Sequence, residues 1–198
     1  MKKVSMLIFL VTFVVLAQTQ FDTIWQKVQK RYEKVNTVQG NFTQRICSES
    51  LGICQQFDGK FYLKRPDKLR LDVTYPDTQI IIVSGKKAWF KFKGESKVNE
   101  QELPARLSPF DIFSEKIQST VSESRMEDKL LYIRLVSQDT LALIPDLELW
   151  LNPKDYTIQQ FSYSQGPGTV STFELSKVKL NQKISDIIFE LPKPKKED

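Results

Sequence analysis

Histidine is absent from all 198 residues. Ser-His-Asp relays, Cys-His nucleophiles and His-ligated zinc centres are thereby excluded, which removes much of the enzyme space open to a chain of this size. Cysteine is almost as scarce. Cys47 and Cys54 are the two present, with six residues between them, so there is no Cys-x-x-Cys redox motif. In an oxidising compartment such a pair forms a disulfide across a hairpin end. Closing so short a loop contributes about 2.5 kcal/mol on the chain-entropy account. No glycine-rich phosphate cradle, internal repeat or paired Asp/Glu spacing stands out, which leaves hydrolysis by carboxylates alone as the remaining enzymatic alternative. Basic residues neither gather into a stripe nor interleave with aromatics along the chain, which argues against a nucleic-acid partner. No cofactor or metal site is indicated.

Long hydrophobic runs are also lacking. The run from Val4 to Leu16 has thirteen residues and is broken by Ser5 and Thr12, too short for a comfortable membrane span. Lys2-Lys3 before it and Val15-Leu16-Ala17 after it follow the plan of a secretory signal. The expectation is cleavage after residue 17, a single domain over 18–198 and a solvated tail at 193–198. No Cys follows the apolar run, so the new N-terminus would not be acylated, and a soluble periplasmic monomer is expected. Losing residues 1–17 removes two Lys and no acid, taking the formal charge from +5 to +3.

What is present is enough for one real core: 40% of residues are apolar and 11% aromatic, a content that suits a single domain. Phe21, Ile24, Trp25, Val28, Tyr32 and Val35 recur at helical spacing, so 21–35 reads as one amphipathic helix. Val38, Gly40, Phe42 and Ile46 alternate as a first strand. Between Phe57 and Phe92 three apolar runs are separated by turn chemistry at Lys64-Arg65-Pro66-Asp67, Tyr75-Pro76-Asp77 and Ser84-Gly85-Lys86, as consecutive antiparallel strands would be. Leu69, Leu71, Val73 and Tyr75 alternate with Lys68, Arg70, Asp72 and Thr74, which predicts one dry and one wet face. After a polar stretch from Phe92 to Glu102, Leu103, Leu107, Phe110, Phe113 and Ile117 recur around Pro104 and Pro109 as two short helices. Strands are then expected over 120–124, 130–136, 147–151, 156–163 and 170–180. Ile184, Ile187, Phe189 and Leu191 form a last apolar segment.

The order and spacing of the central stretch resemble the outer-membrane lipoprotein carrier (LolA) family of Gram-negative bacteria. Its hallmarks are matched here by Gly59, Lys64-Arg65-Pro66, Leu69 to Val73, Pro76, Ile80 to Val83, Gly85 and Trp89, and Asn41-Phe42-Thr43-Gln44 resembles the family's first strand. A Cys pair in the first hairpin is not part of the general pattern. The resemblance implies a mainly β fold, a curved antiparallel sheet forming an incomplete, half-open barrel. An N-terminal helix and short lid helices would cover its apolar concave face.

Within that picture Leu69, Leu71, Val73, Ile80 and Ile82 would line an acyl-chain cavity, although their pattern is equally that of a packed core. Leu107, Phe110 and Phe113 would belong to the lid, for which an ordinary connector is the plainer alternative. Arg65, on residue type alone a solvated turn charge, would latch the empty cavity shut by bonding lid carbonyls. The implied function is non-enzymatic: a periplasmic carrier takes acylated lipoproteins from an inner-membrane ABC-type release complex and delivers them to an outer-membrane receptor. The alternative is a lipid- or lipoprotein-sensing protein of the same fold with no transport role.

Overall fold

The computed structural model describes residues 23–103, 108, 110, 113, 119–138, 144 and 146–190. The expected signal, Leu107 and the tail lie outside them, as does most of the 104–117 lid segment.

Helix α1 covers residues 23–33. Its buried side chains Trp25, Val28 and Tyr32, continued by Val35, make one apolar stripe at helical spacing. Eleven strands follow: β1 (Thr37–Ser48), β2 (Ile53–Lys64), β3 (Lys68–Tyr75), β4 (Gln79–Ser84), β5 (Lys87–Phe92), β6 (Asn99–Glu102), β7 (Ser119–Glu127), β8 (Leu130–Ser137), β9 (Asp146–Leu151), β10 (Ile158–Gly166) and β11 (Thr169–Leu180). All belong to one antiparallel sheet, ordered β6-β5-β4-β3-β2-β1-β11-β10-β9-β8-β7. Two meanders therefore meet at the β1–β11 pairing, and the sheet is open, with β6 and β7 as its edges. The polar stretch 92–102 carries the short edge strand Asn-Glu-Gln-Glu, whose side chains show no alternation to betray it.

Curvature has local causes. Register shifts interrupt the ladders at Gln39/Asn41, Asp58/Gly59, Val121/Glu123, Ile158/Gln160 and Ser164/Gly166, and such bulges bend a strand and sharpen its twist. Cross-strand pairs Gly40–Phe61 and Phe42–Gly59 place an aromatic ring over a glycine twice on the same face. A Cβ at Gly59 would collide with the Asp72 carbonyl and lie 2.9 Å from the Phe42 ring. Only glycine admits this approach of β3 and the ring to β2.

The strand register assigns the faces. Val38 and Phe42 of β1, Phe61 of β2, Val73 of β3, Ile133 and Leu135 of β8, and Leu147, Leu149 and Leu151 of β9 form one buried cluster with α1, Phe110 and Phe113. This is the concave side. Cys47 and Cys54 pair across the β1–β2 hairpin end and are disulfide-bonded.

The convex side differs from expectation. Residues 182–190, including a 3-10 turn at Asp186–Phe189, pack across the back of β3 and β4. Thr37 Oγ1 donates to the Gln182 carbonyl (2.7 Å), Lys64 Nζ to that of Ile184 (3.1 Å) and an Arg70 guanidinium nitrogen to that of Ile188 (2.6 Å). Asp186 accepts from Lys64 (2.8 Å) and Lys68 (2.6 Å), and these bonds, that from Lys64 foremost, lower its pKa from 3.8 to about 2. Ile82, Ile184 and Phe189 are buried on this side. The face carrying Lys68, Arg70 and Asp72 is thus wet only in part.

Candidate functional site

The site is the concave face and its cover, and the cover is held to both halves of the sheet. An α-helix leaves its last carbonyls without partners inside the helix. At the end of α1, Arg65 supplies the donors: Nε bonds the Val35 carbonyl at 2.7 Å, a terminal guanidinium nitrogen bonds that of Tyr32 at 3.1 Å, and the Arg65 backbone N–H bonds that of Asn36 at 2.9 Å. A cation is also favoured beside the negative end of the helix dipole. The guanidinium lies 4.5 Å from the centroid of the Phe110 ring, and the adjoining Pro66 carbonyl accepts from Ser108 Oγ at 2.8 Å. The β2–β3 turn therefore holds α1, Ser108 and Phe110 together. The carbonyls that Arg65 binds belong to the end of α1, whereas the expectation placed them in the lid segment.

Tyr32 fastens the helix to the other half of the sheet. Its hydroxyl accepts from the Ile158 N–H at 3.0 Å, where the β9–β10 register shifts, and its ring stacks on Phe113 with centroids 4.2 Å apart. Burial pushes the phenol up to about 12. Trp25 meets the same Phe113 ring at 6.1 Å. Beneath the helix, then, the concavity is filled with the cover's own side chains.

On either side of this plug the concave face is only half buried. Leu69 and Leu71 stand there on β3, beside Val83 and Ile81 of β4, with Val73 deeper in the cluster. Ile80 and Ile82 do not join them. They lie opposite Asp72 and Arg70, and register partners share a face, so both point to the convex side, where Ile82 is fully buried. The β4 residues that share the concave face with Leu69 and Leu71 are instead Val83 and Ile81. Four consecutive aliphatics, Ile80 to Val83, do mark a strand covered on both faces, but not which residue faces which way.

Across the β1–β11 seam lies a second apolar area that sequence reading did not single out. Phe161 and Phe173 stack with centroids 4.6 Å apart, Phe161 and Tyr163 at 6.4 Å, and Phe42 closes the row at 6.1 Å from Phe173. Phe57, Phe161, Tyr163 and Phe173 are all partly exposed. The polar groups on this floor satisfy each other, Gln44 Nε2 donating to Ser171 Oγ at 2.9 Å. Period-two spacing in Phe161-x-Tyr163 and Phe173-x-Leu175 was the available clue. The surface is apolar and only half covered, and burying hydrocarbon against it is the chemistry its side chains offer.

The family model for outer membrane lipoprotein carrier protein LolA matches residues 33–192. Among curated proteins, the chain is 26% identical to an outer-membrane lipoprotein carrier protein of Haemophilus influenzae, over 99% of this chain and 95% of that one. It is 27% identical to one of Proteus mirabilis over 78% and 77%. Among solved structures, a LolA superfamily protein from Nitrosomonas europaea superposes with a TM-score of 0.50 at 16% identity, covering 86% of this chain and 97% of that one. A conserved protein from Thermus thermophilus superposes with a TM-score of 0.54 at 12% identity, covering 85% and 94%.

Proposed function

The chain belongs to the outer membrane lipoprotein carrier (LolA) family, and from that premise and the geometry of the concave face we propose that it shields the acyl chains of lipoproteins and carries them through the periplasm. The donor is an ATP-driven release complex in the inner membrane and the acceptor a receptor in the outer membrane. The reading is supported above all by half-buried apolar surface on both flanks of a plug, Leu69, Leu71 and Ile81 on one and Phe57, Phe161 and Phe173 on the other. The plug itself is attached by a few nameable bonds.

Magnitudes make such a device reversible. Burying an acyl methylene is worth about 0.8 kcal/mol, so one chain of roughly fifteen offers on the order of 12 kcal/mol when fully enclosed. Opening the cover breaks the two side-chain bonds from Arg65, at about 1.5–3 kcal/mol each, and exposes rings such as Phe110 and Phe113, at about 1.5–3 kcal/mol each. The opposing sums are similar. Cargo can therefore open the plug, and closure of the plug can help expel cargo.

The role of the named residues follows. Leu69, Leu71 and Val73 contact the chains together with Ile81 and the aromatic row. Phe110 and Phe113 act as the movable lid, and Arg65 as the latch of the empty state. No nucleophile, acid or metal is required. The test is to incubate the purified protein with inner-membrane vesicles bearing a triacylated lipoprotein and the energised release complex. Stoichiometric transfer of the lipoprotein to the soluble fraction is expected, and a lipoprotein that stays in the vesicle pellet would sink the reading.

A further inference from the structure

Where the sequence reading found no basic stripe, the fold makes one: Lys27, Lys30 and Arg31 of α1 and Lys34 in the turn after it are exposed and recur at three- and four-residue spacing beside the buried stripe. The stripe borders a groove of about 340 Å³ whose floor is Val35 and Leu180, with Asn181 at its end. Asn181 fixes this wall, since its Oδ1 accepts from the Asn36 N–H at 2.8 Å and its Nδ2 donates to the Lys34 carbonyl at 3.3 Å. None of the four cations forms an ion pair among the described residues, although Glu33 lies on the same helix. Some surface cations elsewhere are paired, as in Lys87–Glu100 and Arg45–Glu174, so what sets this group apart is that four stand together. Four unpaired cations within eight residues, spanning about 10 Å, repel one another and make a local positive field suited to an anionic surface.

We propose that this flank of α1 is a docking surface for anionic phospholipid headgroups, which sets the seam between α1 and β11 against a bilayer. The inference rests on the carrier reading, because a carrier must meet membranes with its cover. An acidic protein fits less well. Protein interfaces are anchored by aromatic residues in a desolvated centre, and the groove offers no aromatic side chain, only aliphatic floor and cationic rim. A row of phosphates free to move laterally needs no shaped socket. The floor residues Val35 and Leu180 belong to the concave-face cluster, so a headgroup bound here lies at the boundary where helix and sheet would part for an acyl chain.

The experiment is flotation of the purified protein with vesicles of phosphatidylcholine alone or mixed with phosphatidylglycerol, at rising salt. Binding is expected only with phosphatidylglycerol and should weaken as salt screens it. Each cation removed should lower partitioning about fivefold, and the K27Q/K30Q/R31Q/K34Q variant by more than about a hundredfold. The charge-keeping K27R/K30R/K34R variant should float like the parent, and unchanged thermal melting of both confirms that the sites are superficial. Equal partitioning onto neutral and anionic vesicles, undiminished flotation of the glutamine variant, or capture by polyglutamate without vesicle binding would each overturn the proposal. Acceptance of an acylated lipoprotein from detergent micelles, measured without vesicles, keeps the two readings apart. A glutamine variant that loads but no longer floats supports the docking surface, whereas a parent protein that floats but never loads overturns the carrier reading alone.

Discussion

Arg65 sits where three pieces of the molecule meet: the last carbonyls of α1, the Phe110 ring and the turn into β3. On the proposed latch role its bonds exist only while the cover is down, so Arg65→Leu should act on the empty state selectively. We expect the variant to lose about 2–4 kcal/mol of stability in urea titration, from two charge-assisted bonds and part of a cation–π contact. By linkage it should bind cargo more tightly, about tenfold for each 1.4 kcal/mol that the closed form alone has lost. Transfer from donor membranes would persist while delivery to acceptor membranes slowed. Normal delivery with unchanged exchange of the α1 amides would return Arg65 to a plain turn charge. Lys64-Arg65-Pro66 was visible in the sequence as a position. Its acceptors were not, because they sit some thirty residues earlier, at a helix end that the β1–β2 register, with Thr37 opposite Lys64, brings alongside.

At the scale of elements, β4 shows why alternation succeeds in one strand and fails in the next. Leu69 to Val73 alternate because β3 has aliphatic side chains on one face and Lys68, Arg70 and Asp72 on the other, and both its extent and its facing could be read directly. Ile80 to Val83 do not alternate, since the 182–190 strap covers β4 from behind. An unbroken aliphatic run marks a strand but carries no information about which residue faces which way. The strap is a long-range partner that only the folded chain reveals. Two substitutions separate the faces. Ile82→Ala should cost about 2–5 kcal/mol of stability as a core truncation, yet leave lipoprotein acceptance intact wherever the protein is folded. Leu69→Glu should fold and fail to accept cargo, because its carboxylate would have to lose water whenever acyl chains enter. Global unfolding of the Glu variant would show that Leu69 is core.

The strap has its own pH dependence. The folded-state pKa of Asp186 is depressed to about 2 from 3.8 by Lys64 and then Lys68. Its stabilising contribution is therefore fully present above about pH 4 and lost as pH falls through about 2. Limited proteolysis within 184–190 should accelerate over that window and should already be fast at neutral pH in Asp186→Asn. A pH-independent cleavage rate would show that Ile184 and Phe189 alone hold the strap.

For the molecule as a whole, the central fact is an eleven-stranded sheet left open and plugged from its own N-terminal side. Strand count and meander order were largely legible, from turn residues and period-two runs. The edge strand Asn99–Glu102 was hidden by its four polar residues. So was the stacked row Phe161, Phe173 and Tyr163, because period two marks a face without saying whether it will be covered. That row and the Leu69–Leu71 flank are where the account places acyl chains, with the convex face excluded. A photoactivatable benzoylphenylalanine placed singly at Phe161, at Leu71 and at Trp89, the last on the convex side opposite Ile82, tests this most directly. On irradiation of the loaded protein, the account predicts covalent adducts to the lipoprotein's acyl moiety from positions 161 and 71 and none from 89; adducts from 89, or none from 161 and 71, would contradict it.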